Sequence, residues 1–369
     1  MKLPPKAVIG ALCLSLATLG PHMAVAQDAA VPSAAPQQPN GRILAEVIGK
    51  YLAADYLYPE TGAQYAAYLS ERALGGHYDG ILGKALADKL TQDLLSVADD
   101  NHLRVRFTPP SGPASPGMGP PRMMRPAQGA VSAIEQPGWI APNIAFIRFN
   151  EFPDDENVTQ QALRFMQAHK DAKTIIFDLR TNRGGGAAQM DVIFPYLFAK
   201  PTKLVVMAKR GAATKDMPLP ASLRPASGEP GFVTYEHWVE PGPNTPLTSA
   251  KIYVLTANKT GSAGEHFAAA LKWSGRATVI GAPTAGANHF GAIHDLGGGM
   301  SVFIPEGRTY NPETGEDWEG KGITPDQSVA PQDALRIALE QSGVAAKEAA
   351  NLSAAYAPTT SMEKPKIRH

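Results

Sequence analysis

The spacing of hydrophobic residues changes along the chain and separates a helical part from an alternating part. Over residues 41–98 apolar side chains recur every three or four positions, as helices that bury one face require. These positions include Ile43, Val47, Ile48, Tyr51, Leu52, Tyr65, Tyr68, Leu69, Leu86, Leu90, Leu94 and Leu95. The spacing predicts about three packed helices, followed at "HLRVRF" by a strand whose apolar and polar residues alternate.

From residue 143 onwards, short apolar runs alternate with longer segments of helical periodicity. Strands are predicted at 143–149, 173–180, 203–209, 251–257 and 276–282, and helices at 158–170, 187–199 and 262–274. A proline-rich irregular stretch at 211–249 interrupts this order and contains one further strand at 232–238. Alternation of strands with helices is typical of a layered βαβ core, so the fold class predicted is α/β (α+β) with an N-terminal helical domain.

Composition then sets the boundaries between these parts. Residues 109–136 concentrate Pro, Gly and Met without periodicity and are predicted to be a linker. The predicted organisation is a signal peptide at 1–26, a flexible leader at 27–40, the helical domain at 41–108, the linker, a core at 137–345 and a polar, alanine-rich tail at 346–369.

The N-terminus has the features of a secretory signal. Two lysines precede an uncharged apolar run, and Ala24-Val25-Ala26 predicts cleavage after Ala26. The only cysteine, Cys13, lies inside this segment, so the mature protein would have no thiol or disulfide. Cleavage removes two lysines and no acidic residue, which changes 34 basic and 34 acidic residues to 32 and 34. We therefore expect an exported protein, most simply one in a bacterial periplasm. With this nearly balanced charge we do not expect it to bind nucleic acid.

The stretch "ANKTGSAGEHF" places Ser262 at the junction between a predicted strand and a predicted helix. Ser262 and Glu265 match S-x-x-E, the capping box, which is a purely structural explanation. A helix N-terminus also carries partial positive charge and free N–H groups, so a hydroxyl there can attack a carbonyl carbon while an amide stabilises the oxyanion. Both interpretations of Ser262 are open from this stretch alone.

Three consecutive glycines, 184–186, follow the predicted strand "IIFDLR". Such a run is entropically costly, so it indicates a sharp turn, a positive φ or a backbone that approaches a ligand closely. One of its N–H groups could be a second oxyanion donor facing Ser262. The motif lacks the lysine of a P-loop, and no H-E-x-x-H spacing indicates a metal enzyme.

A serine nucleophile needs a base, and four histidines are candidates. His102 stands between the helical block and a strand, where neither periodicity nor packing requires it. His266, His289 and His294 compete with it. Glu319, in "GEDWEGKG", is a candidate acid to orient the base.

Several ordered segments together resemble the C-terminal processing, or tail-specific, serine protease family. They are "NIAFIRFNEF", "FDLRTNRGGG", "VLTANKTGSAGEHFAAALKWSGRATVIGAPTAGA", "NPETGEDWEGKGITPDQSV" and the helical block that precedes them. The sequence is most similar to the branch that includes interphotoreceptor retinoid-binding protein modules and, more distantly, the tricorn protease core. The resemblance implies a crotonase-like catalytic core over residues 137–345 and a serine-type peptidase.

The resemblance also implies roles for individual residues. The family's nucleophile falls on Ser262, and its oxyanion hole on the N–H of Ala263 and that of Gly184 or Gly185. Many relatives use a lysine base after the segment "RATVIGAPTAGA", but here that segment runs into Ala287-Asn288-His289.

A tricorn-like arrangement instead takes its histidine from the N-terminal side and its glutamate from "WEGKG", which match His102 and Glu319. Tricorn-like enzymes carry a serine immediately before that histidine. In this chain Asn101 occupies the position and can donate a hydrogen bond.

The expected activity is that of an exported serine hydrolase that acts on peptides or proteins, without cofactor or metal. The 28-residue linker is too short for the PDZ domain that tail-specific proteases usually insert, so none is expected. Retinoid-binding relatives supply the alternative, a non-catalytic module that binds a hydrophobic small molecule. The sequence leaves the oligomeric state and the cleavage specificity open.

Overall fold

The computed structural model describes residues 40–98, 100, 102–109, 131–211, 220–242 and 246–363. The predicted signal peptide and most of the leader lie outside these residues. So do Asn101 and all but the ends of the predicted linker, together with the prediction that it holds no PDZ domain.

Three helices open the described chain: α1 Gly41–Asp55, α2 Pro59–Leu74 and α3 Gly83–Val97. The side chain of Asn40 caps α1 by accepting a hydrogen bond from the Arg42 N–H at 2.8 Å. The buried apolar stripes of the helices form one cluster that also includes Val105, Met300 and Val302. The three predicted helices are confirmed, and they share their core with strands from distant parts of the chain.

A six-stranded sheet forms the centre of the α/β part. Its order is β12-β9-β8-β4-β3-β2, with β2 antiparallel and every other neighbouring pair parallel. The strands are β2 Ile134–Ala141, β3 Ile144–Phe149, β4 Thr174–Asp178, β8 Lys251–Thr256, β9 Thr278–Gly281 and β12 Gln327–Ser328. β2 begins inside the range predicted as linker, because Ile134 pairs with Phe149 of β3.

Helices cover both faces of this sheet, which is why its central strands β3 and β4 are fully buried and mostly apolar. One face packs against α4 Glu156–Ala168, α5 Ala188–Ile193 and α6 Ala263–Trp273. The other face packs against α7 Ala334–Gln341 and α8 Ala346–Ala355. The first part of the predicted tail is therefore a packed helix, whose Ala349 is fully buried.

A second sheet of six antiparallel strands lies beside the first. The order is β1-β11-β5-β7-β6, and β10 pairs with β11. The strands are β1 Arg104–Phe107, β5 Thr202–Arg210, β6 Leu223–Ala226, β7 Phe232–Val239, β10 Phe290–Gly297 and β11 Met300–Tyr310. Among the described residues, none of the helices is long and apolar enough to cross a membrane.

Candidate active site

Ser262 stands at the start of α6, directly after the loop that leaves β8. Its backbone has φ +52° and ψ −119°, a conformation that costs a non-glycine residue about 1–3 kcal/mol. Its side chain is exposed, whereas the next turn of α6 is buried. A strained turn at the N-terminus of a helix therefore presents this hydroxyl outward.

Glu265 holds the turn in place. Its fully buried carboxylate accepts hydrogen bonds from the N–H groups of Ser262 at 2.8 Å, Gly286 at 2.7 Å and Ala287 at 2.8 Å, and from the hydroxyl of Thr284 at 2.6 Å. Burial raises the pKa of this carboxyl, and the four hydrogen bonds offset part of that rise. The capping-box residues are thus present, and the glutamate also fixes the loop at 284–287 against the serine.

The glycine run approaches Ser262 from the end of β4. Gly184 has φ +97°, and a Cβ there would lie 2.7 Å from the Cβ of Ser262. Gly185 has φ +131°, and its Cβ would lie 1.9 Å from the carbonyl oxygen of Phe152. Both positions therefore require glycine, for the reasons that the sequence suggested.

The two glycines differ in the use of their N–H groups. The Gly184 N–H donates to Oδ1 of Asn182 at 2.8 Å. Among the described residues, nothing accepts a hydrogen bond from the N–H of Gly185 or from that of Ala263. The pair of N–H groups left available beside the serine is therefore Gly185 and Ala263.

His102 lies just before β1, with Asp100 as its nearest acidic partner. Its Nδ1 is 3.3 Å from Oδ1 of Asp100, which also accepts from the His102 backbone N–H at 2.9 Å. Tyr56 donates to the other oxygen of Asp100 at 2.9 Å. Burial opposes ionisation of Asp100, but the nearby imidazoles of His102 and His289 hold its pKa well below the usual range. Reasoning from the sequence missed Asp100, although the spacing Asp-x-His was present.

Glu319 approaches the same nitrogen more loosely. Its Oε1 lies 3.6 Å from Nδ1 of His102, while its Oε2 accepts from the N–H groups of Asn288 at 2.8 Å and His289 at 3.1 Å. The side chain keeps 27% of its exposure, compared with 5% for Asp100. Two carboxylates thus face Nδ1 of His102, and the more buried one is closer.

The segment at 284–289 connects the histidine to the serine. Glu265, which also binds the N–H of Ser262, accepts hydrogen bonds from the N–H groups of residues 286 and 287 of this segment. Glu319, beside His102, accepts them from the N–H groups of residues 288 and 289. Burial lowers the pKa of His102, but the hydrogen bond to Asp100 and the charges of Glu319, Asp100 and Glu265 outweigh burial and raise it. Nε2 of His102 is buried and has no hydrogen-bond partner in the described part of the chain, so no hydrogen bond joins it to Ser262.

The other candidate histidines are engaged elsewhere. Nε2 of His266 lies 2.8 Å from Nδ1 of His237, and burial holds the pKa of His266 well below its ordinary value. His289 has Asp100 near one ring nitrogen and Tyr58 near the other, and His294 faces Glu306.

A cavity of about 170 Å³ opens beside Ser262, Ala263 and Gly185. Apolar side chains dominate its wall, among them Met207, Leu223, Phe290 and Trp318. An apolar cavity beside a polar, strained serine can hold an uncharged side chain of a substrate while the reacting group stays at the helix terminus.

Comparison with known proteins agrees with this architecture. The model of peptidase family S41 matches residues 143–329, and that of the N-terminal domain of peptidase S41 in eukaryotic IRBP matches residues 30–134. The chain therefore belongs to peptidase family S41, which confirms the family that the motifs indicated.

Two curated relatives are processing peptidases. Carboxyl-terminal-processing peptidase 2, chloroplastic, of Arabidopsis thaliana is 24% identical over 204 residues, which are 55% of this chain and 35% of that protein. The carboxyl-terminal-processing protease of a Picosynechococcus species is 35% identical over 96 residues, which are 26% of this chain and 22% of that protein. The chain thus spans about a third or less of the length of these relatives.

Solved structures share the fold over most of the chain. The photosystem II D1 C-terminal processing protease has a TM-score of 0.50 and 16% identity, with 79% of this chain and 94% of that one covered. A lipoprotein from Streptococcus agalactiae has a TM-score of 0.57 and 15% identity, with 84% and 98% covered. At these identities the likeness establishes the mixed α/β fold alone.

Proposed function

We propose that this protein is an exported serine peptidase that works through an acyl-enzyme, as its family relatives suggest. The observation that carries the proposal is the exposed hydroxyl of Ser262, on a strained backbone, next to the N–H groups of Gly185 and Ala263, which donate to no described residue. The proposal of export is based on the predicted signal sequence, and N-terminal sequencing of the secreted protein should find Gln27 first.

In the first step Oγ of Ser262 attacks the carbonyl carbon of the scissile bond, and its proton passes to Nε2 of His102. The negative charge that develops on the carbonyl oxygen is stabilised by the N–H groups of Gly185 and Ala263. Collapse of this intermediate breaks the C–N bond, and His102 gives its proton to the departing amine. Water then attacks the acyl-enzyme with His102 as base, and Ser262 is regenerated.

Asp100 and Glu319 would hold the proton of His102 on Nδ1, so that the lone pair of Nε2 faces the serine. In the free protein no hydrogen bond joins Nε2 of His102 to Ser262. We expect this hydrogen bond to form when substrate binds, because catalytic hydrogen bonds are often long in free enzymes and shorten in the complex. The apolar cavity would receive an uncharged side chain next to the cleaved bond.

Labelling with a fluorophosphonate tests this proposal, with mass spectrometry to locate the adduct. We expect labelling at Ser262 that is lost in Ser262→Ala and strongly reduced in His102→Ala. Ser274→Ala is the matched control, because Ser274 ends the same helix and its hydroxyl bonds to the carbonyl of Ala270. A folded wild-type protein that does not label at Ser262 would overturn the proposal.

The alternative of a binding module for a hydrophobic small molecule is supported by the IRBP-type N-terminal match and by the apolar cavity. At about 170 Å³, the cavity is below the roughly 300 Å³ at which pockets for such ligands begin, which favours the peptidase. If the protein did not react with the fluorophosphonate but bound a hydrophobic fluorophore saturably, the binding module would be favoured over the peptidase.

A further inference from the structure

We infer that Asp100, His102 and His289 form a binding site for a divalent transition metal such as Zn²⁺, and that the metal inhibits the peptidase. The inhibition rests on the proposed function, whereas metal binding does not. One ligand atom from each residue can be chosen so that all three lie within 4.8 Å of one another.

The distances suit a tetrahedral ion. Bonds of about 2.0–2.1 Å from zinc to nitrogen and oxygen place neighbouring ligand atoms about 3.3 Å apart. Oδ1 of Asp100 lies 3.3 Å from Nδ1 of His102, and Oδ2 of Asp100 lies 3.4 Å from Nδ1 of His289, so each histidine has one carboxylate oxygen at this spacing. Glu319 lies outside this group of three, with Oε1 3.6 Å from Nδ1 of His102 and Oε2 3.9 Å from Nδ1 of His289, so water would supply the fourth ligand.

Charge and ligand type agree with this assignment. Asp100 and two neutral imidazoles bring one negative charge to a divalent cation, and the carboxylate of Glu319 beside the group brings a second. Imidazole nitrogen with carboxylate oxygen is a donor set that zinc accepts.

The strongest indication of a missing ligand comes from the side chain of His289. The side chain is 5% exposed, yet its Nδ1 has no hydrogen-bond partner in the described part of the chain, although Asp100 is close. Tyr58 Oη lies 3.5 Å from the other ring nitrogen of His289, where it can hold the tautomer that leaves Nδ1 bare. A metal at this point would bind a buried nitrogen to which no described residue is hydrogen-bonded.

A metal at this site blocks the base through its tautomer. Zinc can bind Nδ1 of His102 only when that nitrogen carries no proton. The neutral ring then has its single proton on Nε2. That nitrogen can no longer accept the proton of Ser262. The carboxylate of Asp100 also binds the ion, so it no longer accepts a hydrogen bond from the imidazole of His102.

Isothermal titration calorimetry of the metal-stripped mature protein with zinc chloride tests the site without any need for activity. We expect one ion per chain and a loss of affinity of at least about 10-fold in His289→Ala. His294→Ala is the matched control, because His294 belongs to a second group, with Asp55 and Glu306, outside the proposed site. His289→Gln repeats the test if the alanine variant is misfolded by circular dichroism.

The inference fails if the wild type binds no zinc, if both His289 variants bind as tightly as the wild type, or if only His294→Ala loses the ion. A second arm adds zinc before the fluorophosphonate and should block labelling of the wild type but not of His289→Ala. Labelling that zinc leaves unchanged would overturn the inhibitory role. A protein that binds zinc but labels under no condition would sink the proposed function and leave the metal site standing.

Discussion

Nδ1 of His102 lies 3.3 Å from Oδ1 of Asp100, two residues earlier in the chain. This contact is shorter than the 3.6 Å to Glu319, and Asp100 is the more buried acid. The geometry therefore gives Asp100 the larger part in orienting the proposed base, although the sequence pointed to Glu319.

We expect Asp100→Asn to slow labelling of Ser262 by about 100-fold or more, because an amide no longer favours the proton on Nδ1. Glu319→Gln should slow it less. Asp93→Asn is the control, since Asp93 is equally buried and accepts from Tyr78 at 3.0 Å as Asp100 does from Tyr56. If Glu319→Gln had the larger effect, the assignment between the two acids would be reversed.

A second prediction concerns the glycine run. Gly185→Ala should abolish labelling and lower the thermal midpoint, because its Cβ would meet the carbonyl oxygen of Phe152 at 1.9 Å and move the proposed oxyanion donor. Gly186→Ala should be tolerated, since the nearest atom to its Cβ is that same oxygen at 3.9 Å. Kinetics of labelling and a thermal melt of both variants check this, and equal behaviour of the two would count against the role of Gly185.

Much of the fold follows from local patterns in the sequence. The three helices of residues 41–97 and the βαβ alternation were predictable because each element buries its own apolar stripe or run. The strand-to-helix junction at Ser262 was also local, since S-x-x-E directly follows an apolar strand.

Other features depend on partners far away in the chain. The hairpin of β10 and β11 was not predicted, because Pro305 and Gly307 interrupt the pattern and the strand is stabilised by pairing with β1 and β5. The segment at 346–369 was expected to be a polar tail with a fraying helix end, yet Ala349 of its helix is buried and the guanidinium of Arg148 donates to the carbonyl of Tyr356 just beyond that helix.

The candidate site divides in the same way. Its residue types could be identified from motifs, but which acid meets which histidine could not. His289 lies beside Tyr58 and Asp100, which are 231 and 189 positions away, so their proximity is set by tertiary packing alone.

Glu265 gives a third prediction. Its carboxylate accepts four hydrogen bonds, whereas the glutamine of Glu265→Gln would turn an NH₂ group toward N–H donors. We expect a loss of about 1–3 kcal/mol in the free energy of unfolding, together with slower labelling of Ser262, because the turn that presents the hydroxyl relaxes. Urea unfolding and labelling measure the two effects.

Glu306→Gln is the control for this change, because Glu306 is another buried glutamate but bonds Lys209 and His294 instead of the turn. Unchanged labelling in a destabilised Glu265→Gln would mean that Glu265 supports the fold without positioning the serine.

The last prediction concerns acid stability and the buried Asp178. Its carboxylate is fully buried and bonds Nε of Arg148 at 2.9 Å and two nitrogens of Arg180, each at 2.8 Å. Burial alone would raise its pKa, but the charges and hydrogen bonds of Arg180 and Arg148 outweigh burial and lower it. Because the pKa of Asp178 is lower in the folded protein than the value of about 4 in the unfolded chain, ionised Asp178 stabilises the fold above pH 4 and loses that contribution as the pH falls further.

Asp178→Asn should therefore lower the free energy of unfolding by about 3 kcal/mol or more at pH 7, where it leaves two buried guanidinium groups without their counterion. The difference in that free energy between the variant and wild type should shrink between pH 4 and pH 3. Asp333→Asn, which breaks a solvent-exposed pair with Arg336, should change the free energy of unfolding much less. Urea unfolding of the three proteins across this pH range measures the difference, and a constant gap between Asp178→Asn and wild type down to pH 3 would contradict the role of the Asp178 charge.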